Sequence, residues 1–219
     1  MKTFKVLSAL LAYPEPELLA NAGELSAVLL REALLPCHEQ RALDAFIAEL
    51  SHLDPLDAQE RYVTLFDRNR SLSLHLYEHV HGESRDRGQA MVRLGEIYRL
   101  HGLEIAASEL PDYLPLFLEF LSLLPPKAAA SLLAEAGHVV AALRQKLADR
   151  GSAYAAVMAA VEALAAKPAE RAAVEEVLGM LKPEADALEA LDRQWAEEAV
   201  RFTAAGGPDG GAAAQSCGR

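Results

Sequence analysis

The segment Leu114–Leu124 reads LPLFLEFLSLL and lies between Glu109-Leu110-Pro111-Asp112 and Pro125-Pro126. Wound as a helix, it carries Leu114, Leu116, Phe117, Phe120, Leu121 and Leu124 on nearly every side. A helix without a polar face has nothing to give to water, so it must sit at the centre of a core with other elements around it. The flanking prolines fix where it starts and stops. Ala and Leu dominate the rest of the chain, and β-branched residues never gather into runs. Ala and Leu lose little entropy on entering a helix, so the surrounding elements are predicted to be helices too.

The apolar spacing supports this along the chain. Val6, Leu7, Leu10 and Leu11 form a first stripe, stopped at Tyr13-Pro14. A second run is predicted from Pro16 to Pro36, with Leu18, Leu25, Val28 and Leu29 inward, and a third places Leu43, Phe46, Ile47 and Leu50 on one face. Asp54-Pro55 reads as an N-cap followed by proline at the first helical position, opening a helix with Tyr62, Leu65 and Phe66. Asp67-Arg68-Asn69-Arg70 reads as a loop.

Ser71 is expected to cap a short helix from Leu72 to His81. There Leu72, Leu74 and Leu76 alternate like a strand, while Leu72, Leu76 and Val80 recur like a helix. Helix is preferred because the sequence offers no partner strand. The next helix spans about Asp86 to His101, with Met91, Leu94, Ile97 and Tyr98 inward and Gly102 as its left-handed terminator. Beyond the central helix come Leu132–Leu147, Tyr154–Leu164, Val174–Leu181 and Leu188–Phe202, the last including Trp195. The expectation is an all-α, single-domain bundle over residues 1–202, and a disordered tail of Gly, Ala, Pro and Ser over 203–219.

The 219 residues carry a formal net charge of −11, which argues against nucleic acid and anionic membranes as direct partners. A basic peptide suits such a surface better, because opposite charge speeds encounter. Cys37 and Cys217 stand in no metal-ligand spacing, and two cysteines make no disulfide framework. No apolar run is long enough to cross a bilayer, and no signal-peptide pattern follows Met1. A cytoplasmic protein without direct membrane insertion is the expectation.

One motif resembles catalytic chemistry. His75-Leu76-Tyr77-Glu78-His79 has the H-x-x-E-H spacing of inverted zinc peptidases. On a helix the two histidines would share a face and could grip Zn²⁺, with Glu78 as general base. A zinc-dependent hydrolase is therefore the alternative function. Against it, the chain is short and lacks a sheet to align a substrate. No P-loop, dinucleotide fingerprint or serine elbow is present. Arg85 and Arg87 could hold a phosphate at a helix N-terminus, but a salt-bridged loop is the commoner use of such a cluster.

The stretch from Tyr62 to Val92, YVTLFDRNRSLSLHLYEHVHGESRDRGQAMV, resembles the signature of the NarJ-type nitrate reductase molybdenum cofactor assembly chaperones. The stretch from His101 to Pro125, HGLEIAASELPDYLPLFLEFLSLLP, is similar to the same family. It holds the E-x-P-D core shared with the wider TorD- and DmsD-like group, here Glu109, Pro111 and Asp112. Tyr113 stands where many relatives have histidine, so no imidazole role carries over to that place. The resemblance implies a TorD-like helical fold, no catalysis and no cofactor or metal of its own. It implies binding to the apo catalytic (alpha) subunit of respiratory nitrate reductase, at its N-terminal peptide and a second region. The chaperone would hold that subunit competent for molybdenum cofactor insertion, delay its membrane docking, and be absent from the finished enzyme.

Within that resemblance, Leu72, Leu76 and Tyr77 are expected to line a client groove, with Glu78 and Asp112 presenting charge. His79, beside Glu78, is expected to tune binding by protonation between about pH 5 and 8. Arg85 and Arg87 are expected to order the loop before the next helix.

Overall fold

A computed structural model describes residues 1–81, 85–105 and 109–180 of the chain. Among these residues every regular element is helical. The helices are α1 (Lys2–Leu11), α2 (Pro16–Ala20), α3 (Ala22–Glu32), α4 (Cys37–His52), α5 (Pro55–Tyr62) and α6 (Leu76–His81). They continue with α7 (Arg85–Leu100), α8 (Leu114–Leu123), α9 (Pro126–Glu135), α10 (Gly137–Asp149), α11 (Tyr154–Ala163) and α12 (Arg171–Met180). The predicted stripe Leu188–Phe202, Trp195, the tail and the boundary between residues 202 and 203 lie outside the described residues.

The central helix sits where its composition requires. Helix α8 packs along α1, which also touches α3 and α11. Leu114, Phe117, Leu118, Phe120 and Leu121 are buried, and the Phe120 ring lies 4.6 Å from that of Tyr98. Leu116 is half-buried, so the helix does have one face outside the main core. A nest of rings from Phe46, Tyr62, Phe66 and Tyr154 ties α4, α5 and α11 together, with Phe46 and Tyr154 centred 4.8 Å apart.

Several predicted boundaries hold, and others shift for physical reasons. The Asp54 side chain accepts the Leu56 N–H, as an N-cap should. Gly102 ends α7 at φ +77°, where a side chain would be strained. The run predicted from Pro16 to Pro36 is instead two helices. Asn21 breaks it by turning its Nδ2 onto the Glu17 carbonyl oxygen, a local bond that competes with helix continuation. Likewise Leu132–Leu147 belongs to two helices, α9 and α10, separated at Ala136.

Helix α1 is capped from outside its own sequence. Glu32, at the end of α3, accepts the backbone N–H groups of Lys2 and Thr3, each at 2.7 Å, and the Thr3 hydroxyl at 2.8 Å. The first N–H groups of a helix have no partner within it, and a carboxylate also complements the positive end of the dipole. Among the described residues no helix is long and apolar enough to cross a membrane.

Candidate peptide-binding groove

The wall of the groove begins with Asn69. Its Oδ1 accepts the Ser71 N–H at 3.0 Å and the Ser71 hydroxyl at 2.7 Å, capping a single tight turn over Arg70–Leu72. Asn69, rather than Ser71, is thus the capping residue. The continuous helix predicted from Leu72 to His81 does not form. Leu72, Leu74 and Leu76 are all buried, in the alternation of an extended chain, and His75 pairs with Tyr113 in an isolated antiparallel bridge. The Leu76 N–H donates to the Asp112 carbonyl oxygen at 3.0 Å, and the Leu114 N–H to the Leu74 carbonyl oxygen at 2.8 Å. The partner that the sequence did not offer as a strand is the bend that leads into α8.

Helix α6 starts only after this bridge, and Asp112 caps it from a distance. The Asp112 Oδ2 accepts the Tyr77 N–H at 3.1 Å, while Oδ1 lies 3.4 Å from the His75 Nδ1. Arg87 of α7 approaches the same carboxylate at 3.9 Å. Burial pushes the Asp112 carboxyl up, but the hydrogen bond and charge of His75, the Tyr77 N–H and the Arg87 charge outweigh it and hold it below the usual carboxylate range. Asp112 is fully buried, so it does not present charge to a client as expected; it organises the wall. Arg87 is drawn to that carboxylate, whereas Arg85 is exposed at the start of α7. The loop they were expected to order, residues 82–84, lies outside the described residues.

The remaining expected residues separate in the same way. Glu78 is tied down: its carboxylate accepts the Ser73 hydroxyl at 2.7 Å and the Arg70 Nε–H at 3.1 Å. Burial raises the Glu78 carboxyl, and those two bonds with the nearby arginine charges bring it below its ordinary value. His79 is buried, with its Nε2 donating to the Ser73 carbonyl oxygen at 2.6 Å. Burial drives its pKa below that of an ordinary histidine, against the Ser73 bond and the Glu78 charge, so its titration is displaced toward the acid end of the expected window. Leu72 is fully buried and belongs to the core rather than to any open surface.

The zinc motif loses its geometric basis here. His75 precedes α6, so the two histidines do not share a helical face. Their ring nitrogens face Asp112 and the Ser73 carbonyl oxygen respectively. Among the described residues no three His, Cys, Asp or Glu side chains are grouped to hold a metal.

What the wall bounds is an apolar groove of about 260 Å³. Leu76, Tyr77 and Val80 line it from α6, Leu94 and Ile97 from α7, and Phe117 from α8. Leu132, Glu135, Ala136, His138 and Val139 complete it where α9 meets α10. Tyr77 is half-buried at its edge, and burial followed by the Asp112 and Glu135 charges raises its phenol. Leu76 and Tyr77 both line this trough. The far side, from Leu94 to Val139, was missed, because periodicity marks a residue as apolar-facing without saying which neighbours it faces.

The family model for the nitrate reductase delta subunit matches residues 31–160, more than half of the chain. The chain belongs to the nitrate reductase delta subunit family. It is 42% identical over 199 residues to the nitrate reductase molybdenum cofactor assembly chaperone NarJ of Escherichia coli K12, covering 91% of this chain and 84% of that protein. It is 38% identical over 202 residues to the probable assembly chaperone NarW of the same strain, covering 92% and 84%. The probable chaperone NarJ of Bacillus subtilis 168 is 31% identical over 177 residues, covering 79% and 95%. The part matched as delta subunit holds α4 to α10 entire and most of α11, and with them every residue that lines the groove.

Proposed function

We propose that this chain is a system-specific assembly chaperone of respiratory nitrate reductase. It binds the apo catalytic subunit at the N-terminal segment and a second region, in the cytoplasm. It keeps that subunit competent for molybdenum cofactor insertion, delays membrane docking, and leaves before the enzyme is complete. The observation that carries this reading is the similarity to chaperones so named over about nine-tenths of the chain. The groove suits the task physically. An amphipathic client helix can bury its apolar face between α6, α7 and α8, with Tyr77 as an aromatic anchor at the edge.

The polar groups beside the groove support a binding role rather than a catalytic one. Asp112, Glu78 and His79 are each committed to bonds that hold the wall in place. The test is affinity capture from cells respiring nitrate. Recovery of the reductase catalytic subunit in its cofactor-free form is the expected result. Recovery of the cofactor-loaded enzyme alone, or of no reductase subunit, would overturn the proposal.

A further inference from the structure

Helix α12 delivers the chain to the rim of the groove. It packs along α10 and touches α6, with Val177 buried and Val174 and Leu178 against the core. From it the Glu176 charge reaches His138, which lines the groove. The helix ends at Met180, which is exposed. Residues 181–202 lie outside the described residues, but their sequence has a definite pattern. Leu188, Leu191, Trp195, Ala199 and Phe202 recur at intervals of three and four, the spacing that puts side chains on one face of a helix. Glu189, Arg193, Glu197 and Arg201 fall opposite them, in the i,i+4 register that supports such a helix. Between Met180 and this stripe stand only the seven residues Leu181 to Ala187, which extended would span at most about 25 Å.

We infer that the stripe from Leu188 to Phe202 is an internal occupant of the groove, laying Leu188, Leu191, Trp195 and Phe202 on its apolar floor until a client segment displaces it. This rests on the chaperone reading above and adds a gate to it. The occupant is this chain's own segment because the chain leaves α12 beside the groove. A tether this short holds the stripe at an effective concentration on the order of millimolar, which a dilute free peptide does not reach. Its charge makes it a loose occupant. Residues 181–202 hold six acidic side chains against the three basic ones Lys182, Arg193 and Arg201, in a chain whose net charge is already −11. A basic segment with a similar apolar face is attracted where the internal one is repelled, so it takes the groove. An apolar segment without that charge gains no such advantage and is kept out, which gives the groove selectivity.

Trp195 is the only tryptophan in the chain, so its fluorescence reports on the stripe directly. In the full-length protein its emission should lie to the blue of that in the urea-unfolded chain, and should not change on dilution. A synthetic peptide, the N-terminal segment of the nitrate reductase catalytic subunit, should shift it to the red as it binds. The double variant Leu188→Asp with Leu191→Asp should emit to the red from the outset. It should bind the peptide about ten-fold more tightly than the parent, as for a groove otherwise open one-tenth of the time. Tyr77→Ala, which removes a groove residue, should also release Trp195 and so place the stripe there. Circular dichroism melts check that each variant folds. A Trp195 already exposed in the parent, or a double variant that binds no more tightly, overturns the inference and leaves the chaperone reading standing. A blue emission that fades on dilution would make a second copy the occupant, and overturns it as well. If neither parent nor double variant captures the peptide or the whole subunit, the chaperone reading itself falls and takes the gate with it.

Discussion

The backbone N–H of Tyr77 donates to the carboxylate of Asp112, a residue 35 positions further along the chain, at 3.1 Å. A helix six residues long gains little from its own hydrogen bonds, because nucleation costs more than one turn returns. Helix α6 is therefore held in place by what its first N–H groups meet. The carbonyl oxygen of Asp112 takes the one from Leu76, and the side chain takes the one from Tyr77. A residue that belongs to the turn before α8 thus sets the position of Leu76, Tyr77 and Val80 on the groove.

Asp112→Ala should destabilise the protein by about 2–4 kcal/mol, the range for removing a buried, charge-assisted acceptor and leaving its donors unpaired. Asp112→Asn keeps an acceptor for the Tyr77 N–H and should lose less. Urea unfolding of both variants checks this. Equal losses would mean that the charge toward His75 and Arg87, and not the cap, is what matters.

The carboxyls of Asp112, Glu78 and Glu32 all lie below their ordinary values in the folded chain. A depressed folded pKa contributes stability that is fully present above the unfolded value, about pH 4, and is lost as pH falls through the folded value. The melting temperature should therefore fall steeply once pH drops below about 4. Asp112→Asn should start lower at neutral pH and show a shallower fall. Thermal melts from neutral to acid pH measure both, and parallel curves for parent and variant would remove Asp112 from this account.

Phe120→Ala should cost about 3–5 kcal/mol, as for other emptied aromatic core sites. Leu116→Ala, on the half-buried face of the same helix, should cost less than about 2 kcal/mol. Chemical denaturation of the pair reads the asymmetry of α8 directly. Similar costs would contradict the burial difference between these two positions.

Tyr77→Ala should weaken binding of the client segment by about 1–3 kcal/mol at both low and high salt, because apolar burial is not screened. Glu78→Gln should change affinity little at either salt, since its carboxylate is occupied by Ser73 and Arg70. Isothermal titration with the same peptide decides it. A salt-dependent loss in Glu78→Gln would show that this carboxylate faces the client after all.

Much of the fold was legible because burial at helical spacing repeats locally. Leu43, Phe46, Ile47 and Leu50, or Leu94 and Tyr98, announce their inward face within a single helix. The stretch Leu72–His81 was misread for the opposite reason. Its alternating leucines called for extended chain, but the pairing strand is a single residue, Tyr113, which no pattern can announce. Glu32 and Asp112 are hidden in the same way. Each caps a helix remote in sequence, and a carboxylate in a turn looks alike whether its partners are near or far. The groove was half legible. Leu76 and Tyr77 lie in the motif that drew attention, whereas Glu135 and His138 sit at a helix junction that acquires meaning only when α6 and α7 are folded against it.

The bridge between His75 and Tyr113 also sets an order of events during synthesis. Chains emerge from the ribosome N-terminus first, and their domains fold as the sequence becomes available. When His81 has been made, the apolar side chains of α6 exist but the groups that fix the helix start do not. Those arrive with Asp112, and the opposite rim arrives later still, with Glu135 to Val139. A nascent chain therefore lacks a complete groove until well past its midpoint. A stop codon between α7 and Asp112 should yield a product that lacks both the groups that place α6 and the α9–α10 rim, and so has no formed groove.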